Sequence, residues 1–118
     1  MKRVHELTGV YPGIYTGQDF LREQLHKEHY DTATQDVFDN TWLWVARYSA
    51  SRKALAFPEV SHPPWNMWKL WQVSDDNNPT PMLEGMRAEM NIFKGERSDL
   101  EEFWDDNSWD FNLKAPLN

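Results

Sequence analysis

Three carboxylates flank a predicted turn between two predicted strands, and carboxylates are the groups that glycoside hydrolysis requires. Asp75 and Asp76 follow the run WKLWQVS, and Glu89 opens the run EMNIF. One carboxyl group must donate a proton and a second must stabilise or attack the developing cation, roughly 5 to 9.5 Å away. If both runs are strands, the three side chains lie at adjacent strand ends. Alternatively, Asp75 and Asp76 cap a turn together with Asn77 and Asn78, which the spacing alone favours.

A second acidic pair, Asp99 and Glu101, has the Asp-x-Glu spacing of many catalytic pairs. The segment RSDLEEFW also predicts the start of a helix. Ser98 is then the expected N-cap, and Glu101 completes a capping box three residues later. Carboxylates are favourable at the positive end of a helix, so a structural role explains this pair better than catalysis.

The remaining residue types predict no cofactor. His26 and His29 are spaced to share a helix face, but no third metal ligand is evident near them, and His5 and His62 stand apart. The chain contains no cysteine, which excludes disulfides, a thiol nucleophile and cysteine-type zinc sites. There is no nucleophile elbow and no glycine-rich phosphate loop. We therefore expect neither a metal ion nor an organic cofactor.

Composition limits the partners that the chain can have. Its 118 residues fit one domain, and a net charge of -7 argues against binding nucleic acid or an anionic membrane. No apolar run is long enough to span a membrane, and the first residues lack the apolar core of a signal peptide. The seven tryptophans offer flat apolar faces that suit sugar rings, although a place in the core accounts for most of them.

The chain reads as an α/β domain in which the last three strands are joined by loops. Apolar residues predict a stripe on the first complete helix, formed by Phe20, Leu21, Leu25 and Tyr30. Residues 31–40 are predicted to be loop or weak helix, and residues 49–64 to be loop. The other predicted elements are a helix ending near Leu7 with Gly9 as its C-cap, strands at 14–16, 41–48, 69–74 and 88–93, helices at 18–28 and from 98, and an irregular tail from 105.

Four segments together resemble the C-terminal half of the lysozymes of glycoside hydrolase family 25, the muramidases common in phage endolysins. They are PGIYTG (12–17), LWVARYS (43–49), WKLWQVSD (68–75) and AEMNIFKG (88–95). The resemblance extends over residues 4–103. It implies a partial irregular (β/α) barrel, the C-terminal half of a TIM-like barrel whose last three strands lack helices. The whole chain, 1–118, is then one glycoside-hydrolase-like domain, family-like over 1–104 and irregular over 105–118.

The resemblance also implies roles for individual residues. The acidic position of the last strand falls on Glu89, and Asp75 ends the strand before it, so these two are the expected catalytic residues. The expected substrate-binding residues lie at strand ends or on the last two strands, and they are Tyr15, Arg47, Trp71, Gln72 and Asn91. No metal or cofactor belongs to this set.

The sequence departs from the family pattern in two ways. Glu89 stands where the family usually has Asp, and the extra methylene displaces the carboxylate by more than about an ångström, which can cost about a hundredfold in rate. The family's Asp-x-Glu, which carries the general acid, belongs to the fourth strand and an Asp to the first. Both precede everything in this chain. Asp99 and Glu101 cannot replace them because they follow the last strand.

Three functional hypotheses follow. In the first, the chain hydrolyses β-1,4 bonds between N-acetylmuramic acid and N-acetylglucosamine once an N-terminal half-barrel chain, or a second copy in a homodimer, completes the barrel. In the second, it binds peptidoglycan glycan strands or a protein without cutting. In the third, it is an inactive remnant of such an enzyme. The sequence does not determine the cellular compartment. Synthesis in the cytoplasm with phage-type release to the cell wall is compatible with it.

Overall fold

The computed structural model of the chain describes residues 1–25, 29–48, 57–60, 64–80 and 87–109. The predicted α/β class is confirmed, with every predicted strand present. In chain order the elements are helix α1 (Lys2–Thr8), strand β1 (Gly13–Gly17), helix α2 (Gln18–Phe20) continuing as a π-helical turn (Leu21–Leu25), helix α3 (Thr32–Asp39), strands β2 (Trp42–Ala46), β3 (Leu70–Ser74) and β4 (Met90–Phe93), and helix α4 (Arg97–Asn107).

The strands form one open sheet in the order β1-β2-β3-β4. β1, β2 and β3 are parallel, while β4 runs antiparallel to β3. The first residues of β4 therefore lie beside the last residues of β3, and Ser74 pairs with Met90. Within the described parts of the connections that follow β2 and β3, namely 47–48, 57–60, 64–69, 75–80 and 87–89, there is no helix.

One face of the sheet carries the hydrophobic core. Side chains alternate along a strand, so Leu43 and Val45 on β2 and Trp71 and Val73 on β3 all point to the same side, where none retains exposed surface. Buried residues from the helical segment after β1 and from the connection before β3 pack on this face: Leu21, Trp65 and Trp68. The Trp65 indole Nε1 donates to Thr41 Oγ1 at 3.0 Å, which satisfies its buried N–H group.

The segment after β1 differs from the predicted regular helix. A π-helical turn begins at Leu21, which is fully buried, while Phe20 is 56% exposed. The prediction that Phe20 belongs to the buried stripe is therefore wrong. The wider π turn changes the angle between successive side chains, so a stripe drawn with the α-helical period fails at this point. Residues 26–28, where the helix was expected to end, lie outside the described residues.

Residues 32–39, for which the sequence left loop and helix open, form helix α3. The Asp31 carboxylate accepts the backbone N–H of Thr34 at 2.7 Å, as an N-cap does. This hydrogen bond lowers the pKa of Asp31 below its ordinary value of 3.8. The edge-to-face contact of Tyr30 with Phe38, at 5.0 Å between ring centroids, joins the start of the segment to the core.

The N-cap of the last helix, α4, lies two residues earlier than predicted. The N-cap is Glu96 instead of Ser98, and the capping box is formed by Glu96 and Asp99 instead of by Ser98 and Glu101. The Asp99 carboxylate accepts the backbone N–H of Glu96 at 2.8 Å. An acidic pair with the same three-residue spacing as Ser98 and Glu101 therefore forms the capping box. Residues 105–107 are helical, which corrects the expected start of the irregular tail; residues 110–118 lie outside the described part of the chain.

Helix α4 touches the sheet on the face opposite the core. The Phe103 ring packs edge-on against Trp42, with 5.1 Å between centroids, and contacts Phe93 at 5.4 Å. Trp42 opens β2 and Phe93 ends the antiparallel β4, so both lie at the amino-terminal end of the parallel strands. α4 therefore covers that end of the sheet and leaves the carboxyl end open.

Gly13 provides a test of the β1–β2 packing. It pairs with Trp42, and a Cβ at Gly13 would fall on the Trp42 indole ring. We expect Gly13→Ala to lower the free energy of unfolding by about 1–3 kcal/mol, measured by chemical denaturation, because the close-packed indole has to shift. Gly17→Ala, on the same strand with nothing within 4 Å of its Cβ, is the matched control and should change stability by less than about 0.5 kcal/mol. Equal losses would contradict this packing.

Candidate functional site

Polar and aromatic side chains gather on the sheet face opposite the core, toward the carboxyl ends of the parallel strands. We call this surface the site face, formed by Tyr15, Trp44, Gln72 and Asn91. The strand register places Tyr15 beside Trp44 and Gln72 beside Asn91. Alternation along each strand turns these residues away from the core. The carboxyl ends of parallel strands are where α/β enzymes commonly hold their functional residues.

Gln72 is the centre of the site. Its Oε1 accepts hydrogen bonds from the hydroxyls of Tyr15 at 2.5 Å and Tyr48 at 3.2 Å. Its Nε2 donates to Glu89 Oε1 at 2.8 Å. Gln72 is only 3% exposed, so leaving these amide atoms unpaired would be costly. Both ends of the amide are engaged, and the two tyrosines therefore fix the direction in which Gln72 holds Glu89.

Glu89 presents an oriented carboxylate at the surface. It is exposed and lies just before β4, beside the end of β3. The Ser74 hydroxyl donates to the backbone oxygen of Ala88 at 2.8 Å and so ties the residue before Glu89 to β3. The sheet therefore places Glu89 beside the end of β3, as the sequence predicted. A ligand over the site face would meet a negative charge whose direction is set by the protein.

Asp75 caps the turn after β3, which is the alternative that the sequence left open. Its Oδ1 accepts the backbone N–H groups of Asn77 and Asn78, at 2.9 and 2.7 Å, and the Asn78 side-chain amide at 2.9 Å. These bonds, first of all the side-chain bond from Asn78, and a further bond from Tyr48, lower the pKa of Asp75 below 3.8. Asp75 is thus a fixed negative charge close to the cluster, with one oxygen engaged in the turn.

This geometry predicts a pH dependence that can be measured directly. Because the folded pKa of Asp75 is lowered, its turn interactions contribute stability above pH 3.8, and this contribution is lost as the pH falls through the lowered pKa. In a carbon-13 NMR titration, the Asp75 carboxyl should therefore have a midpoint below 3.8. Asn78→Ala removes the largest cause and should move the midpoint upward. An unchanged midpoint in Asn78→Ala would contradict the assignment of the cause.

Tyr48 belongs to the site but was not singled out from the sequence. It follows β2 at the carboxyl end, and its hydroxyl lies among Gln72, Asp75 and Tyr15. Although the residue is 40% exposed, withdrawal of the hydroxyl from water raises the pKa of Tyr48, and the neighbouring Asp75 and Tyr15 raise it further. The phenol therefore keeps its proton and remains a hydrogen-bond donor. The available signal was its position as the last residue of the predicted strand 41–48.

Trp71 lies behind the site face, and Arg47 lies beside it. Trp71 is fully buried on the core face, so it does not line the site face where substrate contact was expected. Neighbouring residues on a strand point in opposite directions, and Gln72 takes the exposed side. The Trp71 Nε1 donates to the Arg47 backbone oxygen at 2.7 Å. Arg47 in turn donates from Nη1 to the Phe57 backbone oxygen at 2.9 Å.

Trp44 and Asn91 complete the site face beside Tyr15. The Trp44 Nε1 donates to Asn91 Oδ1 at 2.9 Å, and the Trp44 ring meets Tyr15 edge-on with 4.9 Å between centroids. Tyr15 is 53% exposed, and Trp44 is partly exposed. The resemblance pointed to Asn91 and Tyr15 but not to Trp44. Trp44 lies between the apolar residues Leu43 and Val45, and this alternation was the available sign that it faces away from the core.

Neither a metal site nor a membrane helix is found among the described residues. That part of the chain contains no group of three His, Asp or Glu side chains able to hold an ion. His26 and His62 lie outside the described residues. None of the described helices is long and apolar enough to cross a membrane.

The fold is similar to that of a muramidase from Acremonium alcalophilum, with a TM-score of 0.50 and 24% sequence identity. The match covers 84% of this chain and 38% of the muramidase, so the chain spans well under half of that protein's length. At this identity the likeness concerns the fold alone. No protein-family model and no curated protein sequence matches the chain. The chain therefore has a lysozyme-like fold.

Proposed function

We propose that this chain is one wall of a peptidoglycan-cleaving site of the glycoside hydrolase family 25 type. The observation that supports it best is the buried Gln72, which orients the exposed carboxylate of Glu89 beside an aromatic surface. In the proposed enzyme the substrate is the glycan strand, and the bond cleaved is the β-1,4 link between N-acetylmuramic acid and N-acetylglucosamine. The lysozyme-like fold adds support, because the network lies at the carboxyl ends of its parallel strands.

The proposal takes the four strands as the second half of an irregular barrel and residues 1–118 as one domain of it. In a closed barrel the site face would point inward, and four further strands would pair with the edges β1 and β4. An N-terminal half-barrel would supply them, or a second copy of the chain. The end of α4 shares a cleft with Trp44 and Asn91, while Glu89 and Tyr15 remain exposed to substrate.

Each residue of the site has a proposed part in the reaction. A carboxylic acid from the complementing half would protonate the leaving oxygen. Glu89 would stabilise the positive charge that develops on the reacting ring, and Gln72 would hold Glu89 in place. Asp75 would add a fixed negative charge nearby. Tyr15 and Asn91, together with Trp44, would contact the sugar rings, since aromatic faces and amides suit their apolar and hydroxyl surfaces.

A non-catalytic glycan-binding module is the second candidate. The site face offers exposed aromatic rings and a carboxylate, and these can bind sugar without the acid that hydrolysis requires. An inactive remnant of an enzyme is the third possibility from the sequence, and it would show neither binding nor cleavage. Binding and bond cleavage therefore have to be measured separately.

Sedimentation with purified peptidoglycan sacculi tests the proposed function. We expect the chain to pellet with sacculi, and Trp44→Ala to bind about fivefold more weakly, because loss of an aromatic contact costs about 1 kcal/mol. Tyr11→Ala is the control, since Tyr11 stacks on His5 before β1, at the opposite end of the sheet from Glu89. No pelleting of the folded chain, or equal losses in the two variants, would contradict binding at the site face.

A further inference from the structure

An apolar cleft lies between α4 and the sheet, on the side opposite the core. We call it the α4 cleft, and its volume is about 380 Å³. Aromatic and aliphatic side chains from β2, β3 and α4 form most of its wall: Trp42, Trp44, Leu70, Phe103 and Trp104. Of the described residues that line it, none is charged. Apolar surface of this kind, left open on a folded chain, marks sites of association with another molecule.

The strand register shows that the α4 cleft and the glycan site occupy different parts of one surface. Trp42 opens β2, and Leu70 opens β3 and pairs with Trp44, so this amino-terminal part of the surface is apolar. Farther along β3, Gln72 pairs with Asn91, and the surface becomes polar. The two parts meet where the Trp44 Nε1 donates to Asn91 Oδ1. The α4 cleft therefore continues the site face toward the opposite end of the sheet.

Helix α4 presents apolar side chains that its own packing does not use. Phe103 makes the contact with Trp42 that holds the helix on the sheet. The next residue, Trp104, lines the cleft and is nevertheless 65% exposed. Leu100, four residues before Trp104 and so on the same side of the helix, is also exposed. Tryptophan is among the residues that contribute most to the affinity of protein interfaces, so Trp104 is the expected anchor of a partner.

The charge of α4 distinguishes between two kinds of protein partner. The helix contains five carboxylates and one arginine, so its side chains carry a net charge of -4. A two-fold dimer uses the same surface on both chains, and a dimer through the α4 cleft would bring two of these helices together. Like charges placed across an interface are unfavourable, and the net charge of -7 on each chain adds to the repulsion. A different protein is therefore favoured over a second copy.

We propose that the α4 cleft is the docking surface for a separate chain, the N-terminal half-barrel that completes the sheet, and that an apolar side chain of this partner fills the cleft against Trp104. The inference rests on the proposed function, because it names the partner of the same site and the place where it binds. In a closed barrel the site face points inward, and the cleft continues that face through Trp44. The partner thus buries the apolar part of the surface and leaves the polar part to the glycan.

Calorimetric titration and sedimentation velocity of the full chain test this assignment. The probe is a purified N-terminal half-barrel of a family 25 lysozyme that carries its Asp-x-Glu strand. We expect the chain alone to sediment as a monomer and the two halves to form a one-to-one complex. Trp104→Ala should weaken the complex about tenfold or more, whereas Trp104→Phe should retain most of the affinity. Circular dichroism will verify that both variants are folded.

Phe20→Ala is the matched control. Phe20 is 56% exposed, and it belongs to the helical segment that packs on the core face, on the other side of the sheet from the cleft. The dissociation constant of its complex with the half-barrel should change less than about twofold. If Trp104→Ala binds the half-barrel as tightly as the parent chain, the cleft is not the docking surface. A dimer of this chain that Trp104→Ala dissociates would identify a second copy as the occupant and overturn the assignment.

Sedimentation with sacculi separates this proposal from the proposed function. Trp104→Ala should pellet with sacculi like the parent chain, because the docking surface and the glycan site are different. Loss of pelleting in Trp104→Ala, with association unchanged, would show that the cleft binds glycan and would overturn the proposal. If the parent chain pellets but does not associate with the half-barrel, this proposal fails while glycan binding at the site face stands. Association without pelleting would support the docking surface and contradict the proposed function.

Discussion

Replacing Glu89 by glutamine should lower the turnover of cell-wall substrate about a hundredfold or more in a completed barrel. Glutamine has the same shape and keeps an oxygen where Gln72 Nε2 donates at 2.8 Å, so the local geometry can survive. What is lost is the negative charge beside the developing cation. Removing one preorganised electrostatic group typically costs about a hundred- to a thousandfold in kcat. Release of reducing ends from purified peptidoglycan, at saturating substrate, measures this effect.

A matched substitution separates this effect from a general loss of charge. Glu101→Gln makes the same chemical change on α4, where Glu101 pairs with the exposed Arg97 at 3.1 Å. Exposed ion pairs contribute little, so Glu101→Gln should behave like the parent chain. Binding to sacculi should persist in Glu89→Gln because the aromatic surface is intact. Unchanged turnover in Glu89→Gln would remove Glu89 from the catalytic machinery.

Truncating Trp71 to alanine should lower the free energy of unfolding by about 3–5 kcal/mol, the range observed when buried large aromatic residues are removed. Trp71 has no exposed surface and contacts Phe57 and Trp68, with 5.3 and 6.1 Å between ring centroids. Its indole N–H also holds the backbone oxygen of Arg47. Chemical denaturation, followed by far-ultraviolet circular dichroism, measures the loss.

Two further variants show whether the loss arises from burial. Trp71→Phe keeps most of the packing but leaves the Arg47 oxygen without its donor, so we expect an intermediate loss of about 1–3 kcal/mol. Trp104→Ala removes a tryptophan that is 65% exposed and should cost less than about 0.5 kcal/mol. If Trp71→Ala were as stable as the parent chain yet failed to bind glycan, Trp71 would belong on the substrate side after all.

Much of the framework was predictable because it depends on local alternation and chain order. The apolar runs around Leu43 and Trp71 predicted β2 and β3. The turn residues that follow Ser74 separated β3 from the next apolar run, which predicted β4. From the residues alone, the ends of β3 and β4 were expected side by side, and Ser74 indeed pairs with Met90. The resemblance then pointed to Tyr15 and Gln72, which the structure joins by a hydrogen bond of 2.5 Å.

The rest depended on contacts between residues far apart in sequence. Tyr48 enters the site only because Gln72, 24 residues later, offers its Oε1 as acceptor. Trp71 was expected at the site because its chemistry suits sugar, but the direction of a side chain depends on which face the core occupies. Phe20 became exposed through a π turn that no α-helical periodicity encodes. In α4, Glu96 and Asp99 have the same spacing as the predicted pair Ser98 and Glu101, so the spacing alone led to the wrong N-cap.

Lysis of cell walls tests the central claim most directly. The decrease in turbidity of a bacterial cell-wall suspension should be followed with the purified chain, with an N-terminal half-barrel of a family 25 lysozyme carrying its Asp-x-Glu strand, and with both together. We expect clearing only in the mixture, slowed about a hundredfold or more by Glu89→Gln. Clearing by this chain alone would mean that its own carboxylates suffice and that the general acid does not come from the N-terminal half. No clearing in the mixture, although the two halves associate and bind the walls, would contradict a catalytic role for this sheet.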